Sequence, residues 1–288
     1  MKIPRICILL LVIAAVCQPG LAQTPEVQQL LGDVQATYAS LQSYSATGEV
    51  RGGITPDGSS ATLPANQSFE TRSAFAMKLA RPQMFRIVWE QKSGETNGFS
   101  FSSKGAAWSD GEFRNVTVAG QTMQPADTET AIAMATGGSG GAAHTIPSIF
   151  FNLSANGIAS ISNDAVLAGG ELLDGEDCYV VKAHSGNSDY TYWISKNSKL
   201  IVQAMRVSSG TNAPHDEMTD SDARKVLESL GQKVTDEAIR NLRTQIAAAE
   251  QSLKSIKSSY SIERHRDIKT NDVMLPSDFR EKTGGGQR

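Results

Sequence analysis

Gly137-Gly138-Ser139-Gly140-Gly141 matches the letters of a nucleophile elbow, in which a serine on a strained strand-to-helix turn works beside a histidine and an acid. The flanks do not fit. Thr130 to Ala135 lacks the β-branched character of a buried strand, and four glycines around one serine read more simply as a flexible loop. An esterase-like hydrolase using Ser139 is therefore the least supported activity. The histidines, His144, His184, His215 and His265, are scattered, with no i, i+4 pair and no cysteine partner. Each reads as exposed or locally hydrogen-bonded rather than as a zinc ligand. Asp174, Glu176 and Asp177 gather hard oxygens as calcium requires, but they lack the loop length and closing glutamate of an EF-hand and read as a solvated turn. Cys178, a strand residue between Asp177 and Tyr179, has no neighbouring base and reads as an inert, half-buried thiol. There is no glycine-rich phosphate loop, no dinucleotide fingerprint and no carboxylate pair at motif spacing. With no catalytic residues, no metal site and no cofactor indicated, a non-enzymatic binding role is favoured over catalysis.

The chain that must position these residues has 288 residues, 27 Lys plus Arg against 30 Asp plus Glu, and is 40% hydrophobic and 20% charged. That composition excludes disorder and coiled coil, and the length suits one large β domain or two small ones. A formal charge of −3 with no basic patch argues against nucleic acid. Residues 1–22 read as a secretory signal: Lys2 and Arg5 open it, Ile6 to Val16 form an 11-residue apolar stretch, and Pro19-Gly20 breaks it before Ala22. Eleven residues cannot span a bilayer. The alternative, lipidation at Cys17, is poorly served by Val16 and Ala14. A chain cut after Ala22 would be soluble outside the inner membrane, periplasmic in a two-membrane bacterium. It would keep Cys178 as its only cysteine, excluding an internal disulfide. Without Lys2 and Arg5, 25 basic residues face 30 acidic ones, a charge of −5.

Val27, Leu30, Leu31, Val34, Tyr38 and Leu41 recur at helical spacing, which predicts an amphipathic helix over residues 25–41. From Tyr44 to about Val118 the period changes to two. Phe75, Met77 and Leu79, then Phe85, Ile87 and Trp89, then Phe99 and Phe101 alternate with more polar neighbours, as in half-buried antiparallel strands. Residues 119–157, with the Gly- and Ala-rich stretch Thr136 to Ala143, read as a flexible, partly helical excursion. Strands resume from Ile158, with Lys196-Asn197-Ser198 as a hairpin turn. Residues 214–257 read as a helical hairpin. Thr219 and Asp222 suggest a capping box, Thr235 caps the second helix, and Ile239, Leu242, Ile246, Ala249, Leu253 and Ile256 form its stripe. The hairpin suits packing on the domain's own core, with dimerisation as the alternative. Tyr260, Ile262 and Ile268 mark a final strand, followed by a flexible tail at 281–288.

Several of these pieces resemble the periplasmic outer-membrane lipoprotein carrier (LolA-like) superfamily. Phe75 to Arg86 resembles its strand, Arg-Pro turn, strand element. Ser103 to Trp108 is similar to its tryptophan hairpin, with Lys104 in place of the usual acid. Trp193 to Leu200 is similar to a second hairpin, with Ser195 in place of the acid. Ile268 to Asn271 and Leu275-Pro276-Ser277-Asp278-Phe279 resemble the closing strand and its tail. The match covers about residues 25–210 and 258–280 and leaves 214–257 as an insertion, as in a divergent member. The resemblance implies an α+β fold over residues 23–280, a strongly curved antiparallel β-sheet forming a half-open barrel covered by helices. It implies a carrier of acyl chains, with lipid or a lipid-modified protein as partner and envelope membrane proteins as further candidates. Phe75, Met77, Phe85, Ile87, Trp89, Phe99, Phe101, Tyr192 and Ile194 would line the hydrophobic cavity, and Arg81 would contact the lid. A scaffold or envelope-assembly protein docking a partner through 214–257 is the rival reading; oligomeric state is left open.

Overall fold

The computed structural model describes residues 25–57, 69–93, 102–153, 164–210 and 218–280, without the side chains of residues 25, 249 and 251–253. The signal at 1–22, Phe99, Phe101 and the tail at 281–288 lie outside the described residues. Helix α1 (Pro25–Ser40) carries the apolar stripe expected from its spacing; Val27, Leu30, Leu31, Val34 and Tyr38 are all buried, as is Leu41 just beyond it.

Eleven strands of the described residues form one antiparallel sheet. The first six are β1 (Ser43–Pro56), β2 (Phe69–Ala80), β3 (Met84–Ser93), β4 (Ser102–Asp110), β5 (Arg114–Val118) and β6 (Gln121–Met123), each paired with the next. β7 (Val166–Leu173), β8 (Glu176–Ser185), β9 (Ser188–Ser195) and β10 (Ile201–Ser209) form a second meander. β11 (Ile256–Thr270) lies between β1 and β10 and joins the two meanders. Laid flat, eleven strands would span about 50 Å. Yet β7 at one edge touches α1, α1 touches α3, and β4 and β5 near the other edge touch α2. Those contacts require the sheet to curl around its helices.

The flexible excursion expected over 119–157 is instead closely packed where it is described. α2 (Thr128–Gly138) starts at Asp127, whose carboxylate accepts the Thr130 N–H at 2.7 Å. Every residue of α3 (Thr145–Phe150) is buried, as are Ser139, Ala142 and Ala143. Small residues serve close approach here: a Cβ on Gly138 would meet Val118 and Trp89 at 2.9 and 3.0 Å. Gly140 and Gly141, at φ +68° and +115°, turn the chain between α2 and α3.

α4 (Asp220–Ser229) opens with the reciprocal Thr219 and Asp222 capping bonds, and Thr235 Oγ1 accepts the Ala238 N–H at 3.1 Å at the start of α5 (Asp236–Lys254). Ala223, Leu227 and Ile239 form a small apolar cluster between them, separate from the main core. Ile256, expected on the α5 stripe, belongs to β11. It pairs with Pro56, because a β-branched residue at the helix end finds a strand partner there.

Candidate binding site

Strand register sets the inner face in rows. One row runs Gly105, Trp89, Phe75, Gly48, His265, and the next runs Ala107, Ile87, Met77, Ala46. Large side chains lie opposite glycines: a Cβ at Gly105 would strike the Trp89 ring, and one at Gly48 the Phe75 ring. Phe75, Met77, Phe85, Ile87, Trp89 and Ile194 are all buried in one cluster with the α1 stripe, Ile146 and Phe150. These expected cavity residues therefore form one packed core with the protein's own helices. The physical reason is that roughly 25 cal/mol for each Å² of apolar surface favours closure by any apolar helix within reach.

Arg81 follows the last residue of β2, beneath this cover. Its Nη2 and Nε donate to the carbonyls of Tyr38 and Leu41 at 3.3 and 3.4 Å, taking up carbonyls at the α1 C-terminus. Its guanidinium also stacks over the Phe150 ring of α3, 4.7 Å from the centroid. One side chain thus links the β2–β3 turn, the end of α1 and α3. On the far side, the Ile201 N–H of β10 donates to the Tyr38 hydroxyl at 3.1 Å.

The other end of the inner face is different. A cavity of about 360 Å³ opens between the α2–α3 junction, at Gly141 and His144, and the wall formed by β9, β10 and β11. Tyr192, the one expected lining residue found there, stands beside Tyr190, Arg206 and Glu263. Tyr190 and Tyr192 stack with parallel rings 6.3 Å apart, and Arg206 lies 5.8 Å from the Tyr190 centroid. The Glu263 Oε1 lies 2.9 Å from His265 Nε2, both side chains being buried. Burial pushes the Tyr192 phenol up, with Tyr190 and Glu263 adding and Arg206 opposing. Burial pushes the His144 imidazole down, countered by Glu263 and reinforced by Arg206.

The sequence reading passed over Glu263, Arg206 and the Glu263–His265 pair. Tyr260, Ile262 and Ile268 mark the strand, but the inward positions of β11 are the odd ones as far as His265, and only past the irregularity beyond it does Ile268 pack on the core. Two titratable residues at i, i+2 in a strand share a face, and that spacing was the available signal.

The remaining candidates lie apart from this cavity or do other work. The Ser139 hydroxyl accepts the Ala142 N–H at 2.9 Å and donates to Thr136 O at 3.4 Å. Asp174 pairs with Arg264 at 2.6 Å, Asp177 with Lys196 at 2.9 Å, and Glu176 accepts the Ser195 hydroxyl. Cys178 is fully buried, and desolvation followed by the charges of Glu176 and Asp177 pushes its thiol up, away from the reactive thiolate. Among the described residues no group of three or more His, Cys, Asp or Glu forms a metal site. A second hollow, of about 450 Å³, lies where Lys78, Arg86 and Lys269 meet the C-terminal segment at Ser277 and Arg280. Buried Phe279 and the 2.7 Å Arg280–Asp110 ion pair hold that segment.

No family model matches the chain, and no curated protein matches it. Among solved structures it is similar to LprF from Mycobacterium bovis, with a TM-score of 0.40 and 12% identity, covering 88% of this chain and 98% of that one. It is also similar to a DUF1329 family protein from Desulfovibrio piger ATCC 29098, with a TM-score of 0.28 and 10% identity over 90% and 98% of the two chains.

Proposed function

We propose that this protein is a periplasmic, non-catalytic carrier of acyl chains, belonging to lipid or to a lipid-modified protein, and that its curved sheet works as a half-open barrel with α1 and α3 as a lid. The observation that carries the reading is the continuous apolar row system clasped under helices by one side chain, Arg81. The magnitudes are compatible with opening. Two hydrogen bonds and one cation–π contact hold the clasp by about 2–4 kcal/mol. Uncovering Ile146, Ile149 and Phe150 adds roughly 6 kcal/mol. An acyl chain of about a dozen methylenes gains on the order of 10 kcal/mol on burial and covers the surface that α3 vacates. The engaged Ser139 hydroxyl and the inert Cys178 support a role without catalysis.

Native mass spectrometry of protein purified from a membrane-containing host, paired with titration of a fluorescent acyl probe, tests this. Co-purified lipid and saturable uptake are expected; repeated recovery without lipid and without uptake would end the proposal. A second reading, partner docking through α4 and α5, draws on the separate apolar cluster of that pair. Deleting 214–257 should then abolish partner capture and leave acyl uptake intact.

A further inference from the structure

The rows that pack under α1 and α3 are apolar, but further along the same inner face the character changes. One row reads Ser73, Val50, Glu263, Ala204, Tyr192, and the next reads Thr71, Gly52, Ser261, Arg206, Tyr190. Glu263 is 4% exposed, and its only hydrogen bond among the described residues is the one that Oε1 accepts from His265 Nε2, with Oε2 taking none. Ser73 Oγ and His265 Nδ1 are also buried without a hydrogen-bond partner among the described residues, but neither residue lines the cavity. Of this face, Glu263 itself lines the cavity, and its Oε2 is placed to accept from a donor that the described residues do not supply. Arg206 contacts the Ser188 hydroxyl and the Tyr190 ring and has no carboxylate partner among the described residues. In the β10–β11 register Arg206 and Glu263 are diagonal neighbours, a spacing of about 7 Å.

We propose that the cavity of about 360 Å³ is a seat for the head of a zwitterionic amphiphile, with Glu263 receiving an ammonium and Arg206 an anionic oxygen. This rests on the carrier reading, which assigns the tail to the rows under α1 and α3. A head with one sign of charge leaves either Glu263 or Arg206 uncomplemented, whereas a head with both signs meets each. The direction also fits. Glu263 and Arg206 stand beyond the apolar rows, so a tail directed under the lid leaves its head at the cavity.

The test measures binding of phosphatidylethanolamine, phosphatidylglycerol and diacylglycerol with identical dioleoyl chains to the whole protein by native mass spectrometry, with soluble phosphoethanolamine as a competitor. Phosphatidylethanolamine is expected to bind about tenfold tighter than phosphatidylglycerol and about a hundredfold tighter than diacylglycerol, the worth of one and of two charge-assisted contacts. Glu263→Gln should remove its advantage over phosphatidylglycerol, and Arg206→Gln should cut its advantage over diacylglycerol about tenfold, both variants keeping the wild-type circular dichroism spectrum. Arg206 is exposed, so its variant retains the fold if that of Glu263 does not. Phosphoethanolamine alone should compete weakly. Equal binding of the three lipids, or an order unchanged in both variants, overturns the head seat while the carrier reading stands. Competition by phosphoethanolamine as strong as that by the lipid overturns the lipid as its source. Binding of none of them overturns both.

Discussion

The two ends of the inner face belong to one sheet yet are lined in opposite ways, one from β2 and β3 and the other from β9, β10 and β11. Under α1 and α3, Phe75, Met77, Phe85 and Ile87 are buried among apolar neighbours, and the end of α1 is clasped by Arg81. Beside the α2–α3 junction, the face carries Glu263, Arg206 and two stacked tyrosines around open volume. The first arrangement gains from exclusion of water, and its side chains are interchangeable within limits of volume. The second holds polar groups whose bonding is only partly met by the chain itself. Apolar burial thus concentrates at one end of the sheet and polar side chains around open volume at the other.

The largest expected effect comes from the packed end. Phe85→Ala should cost about 3–5 kcal/mol in urea unfolding, against about 0.5 kcal/mol or less for Tyr192→Phe at the cavity. Comparable losses would erase the distinction between the ends. Arg81→Gln comes next, at about 1–3 kcal/mol, with faster exchange of a bound acyl probe. Stability loss with unchanged exchange would make Arg81 a structural residue and not a clasp.

Asp110 sharpens the contrast from the outside of the sheet. Burial alone would raise its pKa, but the N–H groups of Phe113 and Glu112 and the Arg280 guanidinium outweigh that and hold it below the ordinary aspartate value of 3.8. A folded-state pKa below the unfolded one stabilises the protein above that value, and the contribution is lost as pH falls through the folded one. Asp110→Asn should therefore flatten the acid limb of stability against pH and leave lipid discrimination unchanged. The smallest effect is Thr219→Ala, about 1 kcal/mol lost locally in α4, read by hydrogen exchange, with acyl uptake unaltered.

Much of the packed end was legible in the linear chain. The 3-4 spacing of Val27 to Leu41 specifies a stripe whatever the helix rests against, and the alternation through Phe75 to Trp89 specifies which residues share a face. The Arg81-Pro82 turn and the Thr219–Asp222 cap are local chemistry and were readable for the same reason. The Gly and Ala stretch after Thr136 misled, because a missing side chain signals a flexible loop or a tight contact equally well, and only the approach of Trp89 and Val118 decides which.

The cavity end was not legible, and the reason is sequence distance. Glu263 meets Tyr192 and Arg206 because β11, the last strand, inserts between β1 and β10, a pairing that no local pattern encodes. Local periodicity depends on the geometry of a few residues and so is written in the chain itself. Which strand sits beside which, and therefore whether a buried acid faces an arginine or solvent, depends on contacts summed over the whole sheet. Only the folded molecule decides that.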